Sequence, residues 1–226
     1  AEINHEEWKS LWKQVKCPNM VQSWEYGNAK HEADGWKPIR LVIKDYKHNP
    51  VAIVQALYKG FSILGGFVRI NRGPLMLESV DNSHYHKIEQ GVYKAILSER
   101  KKRRWWVIFW APEKEMNADN LKMINILRFK KRSKVIPWGS SRISLRLNED
   151  ELFGNLKGKW RNMLRKAQKN NLSIKCYNGT SDQVLDVIDA YKTFQHKRNF
   201  TGISDKLLIS LSQQKTDCWS FYVYLA

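Results

Sequence analysis

Three strand-like runs, Ile39–Tyr46, Val51–Tyr58 and Phe61–Ile70, follow one another almost without interruption. Only short turn signals, His48-Asn49-Pro50 and Lys59-Gly60, stand between them. Spacers that short force successive strands to pair antiparallel, so an antiparallel meander is expected. A helical pattern follows, with Tyr85, Ile88, Val92, Ala95 and Ile96 on one face and Asp81 as its cap. It ends in Lys101-Lys102-Arg103-Arg104, cations suited to a negative helix C-terminus. The apolar run Trp105–Trp110, stopped by Pro112, reads as a buried strand.

Two helices should precede the meander. Asn4 and Glu7 have the spacing of a capping box ahead of Trp8, Leu11, Trp12 and Val15. The second helix is expected over about 21–33, ending near Gly35. After the meander, a helix is expected over 118–130, a linker over Ile136–Ser141 and a strand at Ile143-Leu145-Leu147. A second series then begins. It has a helix over 149–170 capped by Asn148 with Glu151, a strand at 173–177, helices at 182–197 and 204–213, and a strand at 219–225. This repeats the opening of the first series without its later strands and long helix. The expected organisation is therefore α/β (α+β), with a first domain over 1–139 and a partial second over 140–226.

The 226 residues carry 39 Lys and Arg against 22 Asp and Glu, a net +17, and 42% are hydrophobic. That apolar fraction can bury a core, which rules out a disordered basic tail. No apolar run approaches the roughly 18 residues of a membrane span. The opening AEINHEEWKS is acidic and lacks the apolar stretch of a signal peptide. Cys17, Cys176 and Cys218 are too far apart for a disulfide framework or a C-x-x-C site, so a reducing cytoplasm is the expected setting. The charge calls for a polyanionic partner: nucleic acid, a phosphorylated substrate or an anionic membrane surface.

The segment Asn148–Asn171 carries the clearest charge pattern. Lys157, Arg161, Arg165 and Lys169 recur every four residues as a ridge on the expected helix, a candidate for anion or tRNA binding. Gly154 and Gly158 share its sector, as close approach by a backbone or ligand would require. The junction Arg69-Ile70-Asn71-Arg72-Gly73-Pro74 sits where an acyl-CoA N-acetyltransferase holds a glycine-rich phosphate loop, but one glycine and a proline suit it poorly to that task. His84 and His86 point to different sides of a helix and have no third ligand nearby, so no metal is expected. No nucleophile–base order or P-loop stands out, and no catalytic residue is assigned.

QSWEYGNAK (Gln22–Lys30), VAIVQALYK, RINRGPL and the long phrase from Pro137 to Ile174 containing KWRNMLRKAQKNNL resemble the FemABX family, the peptidoglycan-bridge aminoacyltransferases and related GNAT-like acyltransferases. The resemblance covers nearly the whole chain. It implies two GNAT-like units in tandem, the second incomplete here, because family members continue well past SFYVYLA. It also implies transfer of an amino acid from aminoacyl-tRNA to the amino group of lipid II or UDP-MurNAc-pentapeptide, with no cofactor. Lys30 matches a family lysine on the precursor's diphosphate, and Arg198, in FQHKRNFTG, matches an arginine that contacts phosphate. Trp24 and Tyr26 are expected to pack. The alternatives are an N-acyltransferase using an acyl thioester and a non-catalytic basic module that binds nucleic acid or a partner.

Overall fold

The computed structural model describes residues 1–61, 64–80, 82–130, 143–170, 172–179 and 181–225. Contacts divide them into two compact units, Ala1–Lys130 with Asn178–Phe221, and Lys131–Tyr177 with Tyr222–Ala226.

The larger unit opens with α1 (His5–Trp12). Its capping box is present, with the Glu7 N–H donating to Asn4 Oδ1 and the Asn4 N–H to Glu7 Oε2. A 3-10 turn at Met20–Gln22 leads into α2 (Trp24–Asp34), so the helix expected over 21–33 starts later. Ser23 caps it, and Gly35 ends it at φ 71°, a left-handed position where glycine carries no Cβ penalty.

The meander forms as β1 (Lys37–Lys44), β2 (Pro50–Phe61) and β3 (Gly65–Asn71), each antiparallel to the next. Lys59-Gly60, read as a turn, lies inside β2, pairing with Phe67 and Gly66. The short β4 (Leu75–Met76), not foreseen, pairs with β2. After a 3-10 turn, α3 (Tyr85–Lys102) carries the chain to β5 (Trp105–Ala111), which runs parallel to β3. The strand order is β1-β2-β3-β5. The expected cap Asp81 lies outside the described residues, and His84 stands at the start of α3.

Among the described residues β5 is the edge strand of the sheet, which corrects the reading of Trp105–Trp110 as buried. Trp105 is buried, whereas Trp106, Val107 and Phe109 are exposed, because an edge strand has a neighbour on one side alone. α4 (Ala118–Ile126) is shorter than the helix expected over 118–130.

The core lies on both faces of the sheet. Ile39, Leu41, Val54, Ala56, Val68 and Ile70 pack with Val92 and Ile96 of α3, and Val42, Ile53 and Leu75 pack with Trp8 of α1. On α3, Tyr85 and Tyr93 sit beside the buried Glu89, whose carboxylate meets Lys114 Nζ at 2.5 Å. Burial, followed by the Glu89 charge, pushes the Tyr85 phenol up to about 12 and raises that of Tyr93. In the unfolded chain these phenols ionise near 10, so their contribution is complete below pH 10 and is lost as pH rises through 12. The melting temperature should fall over that window, and Tyr85→Phe should flatten the fall in a thermal melt series.

The chain returns to this unit as α7 (Asp182–Arg198) and α8 (Asp205–Gln213). The compact units thus do not coincide with a boundary at 139/140. The reason lies in α2, which is covered on two sides. One side meets the sheet; on the other, Tyr26, Ala29 and Ala33 need cover, and Leu207 and Leu211 of α8 supply it. Ser210 donates to Glu32, and Thr216 to the buried Glu25.

In the smaller unit, α5 (Glu149–Asn155) and α6 (Gly158–Lys169) replace the single helix expected over 149–170. The Asn148–Glu151 capping box is present. Leu156 and Lys157 take extended ψ values of 141° and 144°, a break flanked by the two glycines, which weaken helix on either side. Open space faces both Gly154 and Gly158, so the expected close approach does not occur among the described residues. Residues 143–147 form bends and turns rather than a strand, and the linker at 136–141 lies outside the described residues. β6 (Lys175–Asn178) pairs with β7 (Tyr222–Leu225). No described helix is long and apolar enough to cross a membrane.

Candidate anion-binding site

The segment QSWEYGNAK is first of all a structural device. Gln22 Nε2 donates to the carbonyls of Gln55 and Asn71, and its Oε1 accepts from the Gln55 N–H at 2.8 Å. The Gln55 side chain in turn accepts from Arg40 Nε at 2.9 Å and donates to the Ser23 carbonyl. Arg40 Nη2 donates to the Trp24 carbonyl at 2.7 Å and to Asn28 Oδ1 at 2.8 Å, with its guanidinium 3.5 Å from the Trp24 ring centre. Burial lowers the Arg40 pKa to about 10, against the opposing pull of Glu25. Gln22, Ser23, Glu25, Arg40 and Gln55 are all buried. This network clamps the first half of α2 to the sheet.

The clamp explains Gly27. A Cβ there would stand 2.1 Å from Gln55 Oε1 and 2.9 Å from Arg40 Nη2. Gln55 is bonded from three sides and has no free direction to yield. Gly27→Ala is expected to cost about 1–3 kcal/mol, the usual range for overpacking, read as a lowered denaturant midpoint at unchanged slope.

From this rigid base, α2 carries Lys30 toward the surface. Its ammonium pairs with Asp34 one turn on, the two side chains 17% and 31% exposed. The Asp34 carbonyl accepts from Lys59 Nζ of β2 at 3.0 Å. The Lys59 ammonium lies 5.7 Å, and the Arg69 guanidinium 4.9 Å, from the centre of the Trp36 ring. Tyr26 stands close by: burial raises its pKa first, the Asp34 charge raises it further, and Arg69 draws it down. Lys30, Asp34, Trp36, Lys59 and Arg69 therefore form one cationic cluster. Tyr26 and Trp24 pack, Tyr26 against the α2–α8 core and Trp24 beside Trp8.

Arg198 lies in the last turn of α7, its guanidinium 5.8 Å from the Phe194 ring centre. Asn199 closes the helix at φ 50°, and Phe200 folds back edge-on to Phe194 and Tyr191. The R-x-F phrase thus fixes a helix end that holds Arg198 outward. Lys30 and Arg198 have different contacts: Asp34 for the first, Phe194 for the second.

Of the ridge in the smaller unit, Arg161, Arg165 and Lys169 share one face of α6, while Lys157 is the cap residue before it. Arg161 donates to the Gly154 carbonyl at 3.3 Å, and Arg165 lies over Phe153 at 5.1 Å. The three run as i, i+4, i+8 rather than as the four-member ridge expected.

The junction Asn71–Pro74 is no phosphate loop. Gly73 is packed against Gln22, whose amide a Cβ would meet at 2.6 Å. The Arg72 N–H is taken by the Ala111 carbonyl at 2.7 Å. Among the described residues no group of three or more His, Cys, Asp or Glu side chains has the placement to hold a metal.

Sequence reasoning singled out Lys30 and Arg198 but missed Asp34, Trp36 and Lys59, and placed Arg69 only in a junction poorly suited to hold phosphate. A signal was present. Trp36 sits just after the helix stop at Gly35, and register-matched strands bring positions 59 and 69 to the same sheet face.

No protein-family model matches the sequence, and no curated protein matches it. Among solved structures, FemX superposes with a TM-score of 0.63 over 93% of this chain at 17% identity. The chain spans about half of FemX, 53% of its length. An aminoglycoside antibiotic 6'-N-acetyltransferase from Acinetobacter haemolyticus aligns over 64% of the chain and 98% of its own, with 13% identity and a TM-score of 0.37. A ribosomal-protein-alanine N-acetyltransferase from Brucella melitensis biovar Abortus 2308 covers 62% of the chain and 92% of its own, at 14% identity and a TM-score of 0.31. Antiparallel strands, the crossover helix α3 and the parallel strand β5 together give the chain an α/β fold that it shares with FemX.

Proposed function

We infer that the chain serves an aminoacyltransferase reaction of cell-wall synthesis, moving an amino acid from aminoacyl-tRNA to the amino group of a peptidoglycan precursor. The fold likeness to FemX over 93% of the chain carries this reading. In it, Lys30 and Arg198 hold the precursor's diphosphate, one as a compact ammonium and the other as a planar fork. Charged tRNA as donor sets the reaction in the cytoplasm, and a lipid-linked acceptor would bring the protein to an anionic membrane surface. On the domain level, 1–139 and 140–226 would be a first GNAT-like unit and part of a second, with α8 covering α2.

The chemistry is acyl transfer from an ester to an amine. The neutral amine attacks the aminoacyl carbonyl carbon, the new C–N bond forms, and the C–O bond to the tRNA ribose breaks. The proton lost by the amine ends on the ribose hydroxyl. The tetrahedral intermediate needs N–H donors for its oxyanion. No described residue is assigned as base.

The phosphates of the tRNA arm fit Lys157, Arg161, Arg165 and Lys169. Binding should weaken with salt, the logarithmic slope losing about 0.7–0.9 for each phosphate contact removed. Changing all four residues to Ala should lower that slope by about 3, measured by filter binding across a salt series.

The function test is a donor exchange. The protein is given UDP-MurNAc-pentapeptide or lipid II with either labelled aminoacyl-tRNA or labelled acyl-CoA. Label passing to the precursor from tRNA alone is the expected result. Transfer from acyl-CoA would favour an N-acyltransferase, and tRNA binding without transfer from either donor would favour a binding module.

A further inference from the structure

We propose that Lys59 and Arg69, seated on Trp36, complete with Lys30 a site for a phosphate or diphosphate group, and that Asp34 occupies Lys30 until that anion displaces it. This rests on the acceptor reading above, which supplies the natural diphosphate, and adds Lys59 and Arg69 to the Lys30 and Arg198 named there.

The three cations come from separate elements, α2, β2 and β3: Lys30 and Lys59 meet at Asp34 at the end of α2, and Lys59 and Arg69 share the Trp36 indole. Lys30 pairs with Asp34, and the next residue but one along the chain is Trp36. The Lys59 and Arg69 charges lie 5.7 Å and 4.9 Å from its ring centre. The Lys59 ammonium also reaches the Asp34 carbonyl, a neutral acceptor, at 3.0 Å. Ordinary solvated cations spread apart, since like charges repel; here two are gathered over one ring face system. Against Lys30, Lys59 and Arg69 stands Asp34, leaving 3 − 1 = +2. A surplus of two positive charges matches a dianion.

The chemistry of each group fits that ligand. Arg69, exposed at its strand position, offers a planar fork that binds two phosphate oxygens at once. Lys59 and Lys30 add point charges. Tyr26 feels both Asp34 and Arg69, so these two charges act in one neighbourhood. A bound phosphate would compete directly with the Asp34 carboxylate for Lys30, so Asp34 lowers affinity and keeps the half-buried ammonium partnered when the site is empty.

The test is calorimetric titration of the full chain with inorganic pyrophosphate at low salt. The expected result is saturable binding that Lys59→Ala and Arg69→Ala each weaken by about tenfold. Asp34→Asn should tighten it by about threefold or more, a gain that no loss of folding can imitate. Lys94→Ala, an exposed cation on α3, should leave it unchanged. The proposal is overturned by wild-type protein that does not bind pyrophosphate, by Lys59→Ala and Arg69→Ala variants that bind like wild type, or by Asp34→Asn that binds no tighter. The donor reading fails separately. If pyrophosphate binding follows this pattern but no label passes from charged tRNA, the site stands and the transferase reading falls. If transfer proceeds while both alanine variants keep wild-type pyrophosphate affinity, the reverse holds.

Discussion

Arg40→Ala should destabilise the protein by about 3–5 kcal/mol, the range found when one member of a buried charged network is removed. Arg40 is 7% exposed and makes three hydrogen bonds, to Gln55, the Trp24 carbonyl and Asn28. Truncation leaves those acceptors without their donor, and it removes a cation that interacts with the buried Glu25. It also leaves a void over the Trp24 ring, where the guanidinium now stacks at 3.5 Å. Arg40→Met refills much of that volume but supplies no donor. Most of the loss should therefore persist in Arg40→Met, which separates the hydrogen bonds from the packing. Chemical denaturation of both variants checks this; a loss below about 1 kcal/mol in Arg40→Ala would mean that the clamp on α2 is not held by Arg40.

The second large effect concerns binding. Lys30→Glu and Arg198→Glu should each weaken precursor binding by tenfold or more, and the double variant by about a hundredfold or more. Charge reversal replaces an attraction with a repulsion at the phosphate. In Lys30→Glu the new carboxylate also faces Asp34, so two like charges meet where a neutral pair stood. Neither change should unfold the protein. α2 is fixed by the buried Gln22–Gln55–Arg40 network and by Leu207 and Leu211 of α8, none of which uses Lys30. Arg198 lies at a helix end outside the core, its contact being a ring face rather than a buried partner.

The meander, the long helix and the existence of a strand at Trp105–Trp110 were legible in the sequence because turn signals and apolar periodicity are local. The errors arose where distant parts of the chain decide. Trp105–Trp110 reads as buried by composition, but burial depends on what flanks and covers a strand, and among the described residues β5 pairs with β3 alone. The 149–170 pattern keeps helical period across Leu156, so the eye joins what the backbone breaks between two glycines. That α8 packs on α2 depends on the apolar side of α2 that the sheet leaves open, visible in Tyr26, Ala29 and Ala33 once Gln55 and Arg40 have claimed the opposite side. In the candidate site, Lys30 and Arg198 were reached through resemblance. Lys59, Arg69 and Trp36 needed strand register, which fixes which side chains share a face and is invisible to spacing alone.

The most direct measurement is the affinity of UDP-MurNAc-pentapeptide for the wild-type chain and for Lys30→Glu, taken side by side by calorimetry with thermal melts confirming that both are folded. Saturable binding to the wild type is expected, with a loss of tenfold or more in a Lys30→Glu variant that still melts cooperatively well above the assay temperature. Equal affinity in two folded proteins, or no binding to either, would contradict it.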